Sequence, residues 1–130
     1  MPPDFTPQFT SEEFEQLVVE ALEALPEFFQ QKLQNIDVIV SDWPTPAEQQ
    51  AVHLQPGHLL FGLYQGIPLT QRTSNYGLVL PDKITIYHLP IEQVCRTRER
   101  IMAQVQRTVR HEIAHHFGIS DDRLRELGAY

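Results

Sequence analysis

Cysteine is almost missing from this chain: Cys95 is its one example in 130 residues. No intrachain disulfide can form, which fits a reducing compartment and the expected cytoplasmic location, although many exported proteins lack cysteine as well. A long apolar run is missing too. Nowhere do about eighteen apolar residues follow one another, so no segment is expected to span a membrane. The opening MPPDFTPQFTSEEFEQ has neither the basic start nor the apolar stretch of a signal peptide. Excess positive charge is absent as well. Seventeen Asp and Glu against ten Lys and Arg give a net charge of −7, the wrong sign for a nucleic-acid track, and no nucleic-acid partner is expected. The exception is Arg96, Arg98, Arg100, Arg107 and Arg110, a run that reads most simply as a solvated helix face.

What is present describes one ordinary domain. Residues 1–9, with Pro2, Pro3 and Pro7, read as an extended arm, and residues 10–130 as a single unit of typical domain length. Thr10 and Glu13 have capping-box spacing, and Phe14, Leu17, Val18, Ala21, Leu22 and Leu25 follow as one helical stripe. Pro26 ends that helix, and a short one follows over Glu27 to Gln34. Ile36 to Val40 reads as a strand, Trp43 to Pro46 as a loop, and His58 to Tyr64 as a second strand. Lys83 to His88 alternates at period two and reads as a third strand, closed by Pro90. Ile91 to Phe117 holds no proline or glycine, and its second half keeps the stripe Ile101, Val105, Val109, Ile113 and Phe117. Gly118 ends this helix, and a last short helix runs from about Asp122 to Leu127. The expected fold class is α+β: a small mixed sheet packed with helices, the last long helix carrying the chemistry.

That chemistry lies in His111-Glu112-x-x-His115-x-x-Gly118-x-x-Asp121. Positions four apart on a helix differ by about 40° in azimuth, so His111 and His115 project side by side, off the apolar stripe. Two imidazoles so placed can reach one ion. Glu112 points about 100° away from His111, which makes it a poor third ligand but a suitable proton acceptor beside the metal. Gly118 lets the chain reverse, so that Asp121 can supply a carboxylate as third ligand. Asp121, Ser120 or Asp122 could equally cap the short helix, and Asp122 or a nonprotein group could take the third ligand position. Zinc suits two imidazoles and a carboxylate; manganese, iron or nickel could occupy the same ligands.

This arrangement resembles the metzincin pattern with aspartate where histidine is commoner. The segments HEIAHHFGISDDRLRELG, GLYQGIPL and LPDKITIYHLPI resemble the small bacterial zincin-like, minimal metalloprotease family over roughly residues 10 to 130. The resemblance implies a minimal zincin-like fold with HExxH on a C-terminal helix, a peptidase-like zinc site, and peptide or protein substrates. Many members are peptidases by prediction, without an established substrate.

In that reading Glu112 is the general base of peptide-bond hydrolysis. A second electrophile would come from Tyr64, Tyr76, Tyr87 or His88. An extended substrate would pair with an exposed strand edge, at Lys83 to His88 or at Leu59 to Tyr64. His116 is expected on the packed side of the helix, His53, His58 and His88 as structural residues, and Cys95 as a small, buried or half-buried one. Two other functions fit the same ligands. One is a metal-dependent endoribonuclease, similar to a ribosomal-RNA maturation family with HxxxHxxGxxxxH-like spacing, from which Glu112 and Asp121 depart. The other is a non-catalytic metal-binding module.

Overall fold

A computed structural model describes residues 5–52, 58–66 and 81–126. The first helix, α1 (Ser11–Glu23), opens on the expected capping box: the Glu13 amide donates to the Thr10 hydroxyl (3.1 Å) and the Thr10 amide to the Glu13 carboxylate (2.8 Å). Its buried stripe is Phe14, Leu17, Val18 and Ala21. Pro26 separates it from α2 (Glu27–Leu33), which buries Phe29. The strand β1 (Ile36–Ser41) follows.

The Trp43–Pro46 segment holds a difference from expectation. A short helix, α3 (Pro46–Ala51), starts there, because Thr45 and Glu48 form a second capping box and Pro46 takes the first helical position. Proline suits that position, since its missing N–H would have had no intrahelical partner.

The strands β2 (Gly62–Gln65) and β3 (Asp82–Tyr87) complete a three-stranded mixed sheet in the order β1-β3-β2. β1 pairs parallel to β3, with Val38 opposite Ile84, and β2 pairs antiparallel, with Tyr64 opposite Ile84. β3 is therefore the central strand, with Ile84 and Ile86 fully buried. This corrects the expectation that Lys83 to His88 could offer an edge; β2 is the edge near the site among the described strands. β2 is also shorter than the His58–Tyr64 run suggested.

Pro90 does not merely close β3. A helix, α4 (His88–Val94), begins directly after the strand and carries Pro90 in its first turn. The chain then breaks at Cys95–Thr97, and Thr97 caps α5 (Arg98–His116), its hydroxyl accepting from the Arg100 amide at 3.2 Å. Ile101, Val105, Val109 and Ile113 are fully buried, and α5 packs with α1 and the sheet around one core. Each such aliphatic side chain contributes roughly 1.5–3 kcal/mol by leaving water. The α+β architecture is as expected. None of the helices among the described residues is long and apolar enough to cross a membrane.

Two buried acids make the core sensitive to alkali. Burial pushes the Cys95 thiol up, and burial with the nearby Glu48 and Glu112 carboxylates pushes the Tyr87 phenol up. The folded chain thus keeps these protons to higher pH than the unfolded chain, which releases them near pH ~8.5 and ~10. Their stabilising contribution is complete below those values and is lost as pH rises through the folded ones. The urea midpoint should therefore fall between pH 8 and pH 10.5, and Cys95→Ala should remove the earlier part of that fall.

Candidate metal and catalytic site

The C-terminal end of α5 reverses through a Schellman motif. The Ile119 amide donates to the Ala114 carbonyl (2.8 Å) and the Gly118 amide to the His115 carbonyl (3.3 Å), with Gly118 at φ +66°. Only glycine adopts that backbone at little cost. The reversal returns the chain to the flank of α5, where α6 (Asp121–Glu126) starts. Ser120 fills the cap, its hydroxyl accepting from the Arg123 amide at 3.1 Å. Asp121 is the first helical residue.

His111, His115 and Asp121 line one concavity of about 310 Å³, together with Ala114, Ile119 and Ser120. All three candidate ligands are exposed. As the side chains stand, no three His, Cys, Asp or Glu among the described residues form a group able to hold a metal ion. Exposed side chains change rotamer on the picosecond to nanosecond scale. Two imidazoles and a carboxylate are donor types that zinc takes, and here they border one concavity.

Glu112 faces the other way, into a larger cleft of about 520 Å³ that also takes in Tyr64, Leu63, Val52 and His115. His115 is thus the wall between the two spaces. The Tyr64 backbone amide donates to Glu112 Oε1 at 2.9 Å. Burial raises the Glu112 carboxyl above the usual carboxylate range, against the opposing pull of the Tyr64 amide and of His115 and His111. A carboxyl raised by desolvation beside a cleft is a candidate for proton transfer.

His116 departs from expectation. It lies exposed at the cleft, stacked on Tyr64 with ring centroids 3.9 Å apart, because β2 occupies that flank of α5. Its Nε2 stands 3.7 Å from Asp82 Oδ2, the atom that also accepts from the Tyr64 hydroxyl at 2.6 Å. Sequence reasoning missed Asp82; its pairing with Tyr64 across β2 and β3 leaves no mark in spacing. Of the four suggested electrophiles, Tyr64 lines the cleft, while Tyr87 and His88 are buried. Tyr76 lies outside the described residues, as does His53. His88 is structural, paired with the fully buried Glu92, and Cys95 is buried as expected.

Comparison with known proteins gives the family. A conserved hypothetical protein of known structure from T. thermophilus is similar at 28% identity and a TM-score of 0.53, over 84% of this chain and 94% of that one. No curated protein matches. A sequence model of zincin-like metallopeptidases matches residues 33–129, which take in β1 to α6 and every candidate ligand. The chain belongs to the zincin-like metallopeptidase family, a family of metal-dependent peptidases to which zinc binding is general.

Proposed function

We propose that this protein is a zinc-dependent peptidase in which His111, His115 and Asp121 hold the metal and Glu112 is the general base. The observation that carries this reading is the placement of Glu112: a desolvated carboxylate, tied by one oxygen to the Tyr64 amide, in a cleft whose wall is the candidate ligand His115. Zinc, when bound, brings the pKa of a water toward neutrality and polarises a carbonyl. Glu112 accepts the proton of the attacking water and passes it to the departing amine. Its Oε1 is occupied by the Tyr64 amide, so Oε2 is the oxygen left for proton transfer. β2 lies along the cleft as an edge strand among the described strands, and an extended peptide can align beside it. Ala51, Val52 and Leu63 give the cleft apolar surface against which a substrate side chain can pack.

The test is cleavage of a mixed panel of unfolded proteins and peptides, read by mass spectrometry. Zinc-loaded protein should cut, and chelator-treated protein and His115→Ala should not. Re-adding zinc should restore cleavage to the first but not to the second. A panel left intact by protein verified to carry zinc would replace this reading with a metal-binding module.

A further inference from the structure

β2 and α5 touch in register. Gly62 and Tyr64 share one face of β2, and Gly66 follows two residues on, just past the strand's end; on the helix, Thr108, Glu112 and His116 are four apart and share one flank. A two-residue strand step is roughly 6.6 Å and a four-residue helix step roughly 6 Å, so three successive levels stay matched. A Cβ at Gly62 would lie 2.6 Å from Thr108 Cγ2 and 3.2 Å from the Thr85 carbonyl oxygen. At the middle level the Tyr64 amide meets Glu112. At the third, a Cβ on Gly66 would lie 3.3 Å from His116 Cε1, beside the ring that stacks on Tyr64.

From this register we infer that Gly62 is a positioning residue for Glu112: its missing side chain admits the Thr108 methyl and so brings the Tyr64 amide onto the Glu112 carboxylate. The inference rests on the proposed role of Glu112 as base. Thr108 cannot readily yield to a larger neighbour. It is buried on a helix, where a β-branched side chain has few rotamers, and its hydroxyl accepts from Gln104 Nε2 at 3.0 Å. A methyl at position 62 must therefore push β2 away from α5, and Tyr64 moves with the strand. Glu112 then loses the donor that fixes one of its oxygens.

The experiment uses Gly62→Ala, Thr108→Ser and their combination, since serine removes the opposing methyl and keeps the hydroxyl. The first readout needs neither metal nor turnover: the Tyr64 amide in 15N-labelled, metal-free protein. In Gly62→Ala that amide should shift and exchange with solvent about tenfold faster or more, as expected for loss of a hydrogen bond to a charged group. Zinc stoichiometry should be unchanged, with kcat on a cleaved peptide down roughly 100-fold, the scale of a small misplacement at a reacting centre. Thr108→Ser should restore both readouts to within about threefold in the double variant.

An unmoved Tyr64 amide in Gly62→Ala would overturn the inference. So would a displaced amide with unchanged kcat, or a double variant no better than the single one. Should Gly62→Ala not fold, folding of the double variant supports the slot, and its failure to fold sinks the idea. If zinc-loaded wild type cleaves nothing, the peptidase reading fails, and the amide still decides whether Gly62 places Glu112.

Discussion

Glu112→Gln is expected to lower peptide hydrolysis by roughly 10²–10⁴-fold, the usual contribution of a positioned general base, with zinc binding intact. Glutamine has nearly the shape of glutamate, and its amide oxygen can still accept from the Tyr64 amide that now bonds Oε1. The cleft should keep its form. The variant lacks a group basic enough to take the water proton, and no other carboxylate takes part in the cleft lining among the described residues. His115→Ala behaves differently, because it removes a donor from the concavity shared with His111 and Asp121. It should lose zinc and activity together, whereas Glu112→Gln separates them. The decisive measurement is kcat/KM beside metal content on the same samples. Equal turnover by Glu112→Gln and wild type, at one zinc per chain in both, would remove Glu112 from the mechanism.

The different placement of Glu112 and His111, which line separate cavities, was legible in the sequence, because it depends only on helix geometry. The stripe through Ile101, Val105, Val109 and Ile113 fixes which way α5 faces the core, and this leaves His111 and His115 exposed. Gly118 announces the reversal that returns Asp121 to the same concavity. The capping box at Thr10 and Glu13 was legible for the same reason: its atoms are three residues apart. Thr45 and Glu48 carried an equal signal, masked by the prolines on either side of Thr45. Pro90 misled in a similar way, since proline stops a helix from within yet is tolerated in the first turn, where it sits in α4.

The features that were not legible are contacts between distant segments. Strand order is one: nothing local in Lys83 to His88 says that β3 lies between β1 and β2. The flank on which His116 meets Tyr64 is another, set by where β2 packs rather than by the helix period. The Gly62–Thr108 approach is a third. Local spacing thus indicated the candidate ligands and the candidate base, while long-range packing supplies the hydrogen bond that holds the Glu112 carboxylate.

The largest expected loss of stability comes from a residue outside either cavity lining. Glu92 is fully buried and accepts from the Gln8 amide at 2.8 Å; its second carboxylate oxygen pairs with His88, whose ring stacks on Phe14 at 4.3 Å. Glu92→Ala would leave the His88 ring with neither nitrogen bonded among the described residues, where Nδ1 already has no partner, and would open a hole in the core. Breaking a buried pair from one side costs about 3–5 kcal/mol, a large part of the roughly 5–15 kcal/mol that holds a domain folded. The melting temperature should fall by about 10–20 °C.

Removing both partners is expected to cost less than removing Glu92 alone. His88→Leu/Glu92→Leu removes both members of the pair, so neither is left buried without the other, and the exposed Gln8 can give its amide to water. Glu92→Gln should lie near wild type, because it can accept from the Gln8 amide and still bond His88. Thermal melts of the metal-free proteins would rank the series. A melting temperature for Glu92→Ala within a few degrees of wild type would show that the pair does not hold the N-terminal segment to α4. Zinc stoichiometry should stay the same throughout, because neither His88 nor Glu92 lines the cleft or the ligand concavity. Stability and metal binding are then separable properties of one small core, the first anchored at the start of α4 and the second at the end of α5.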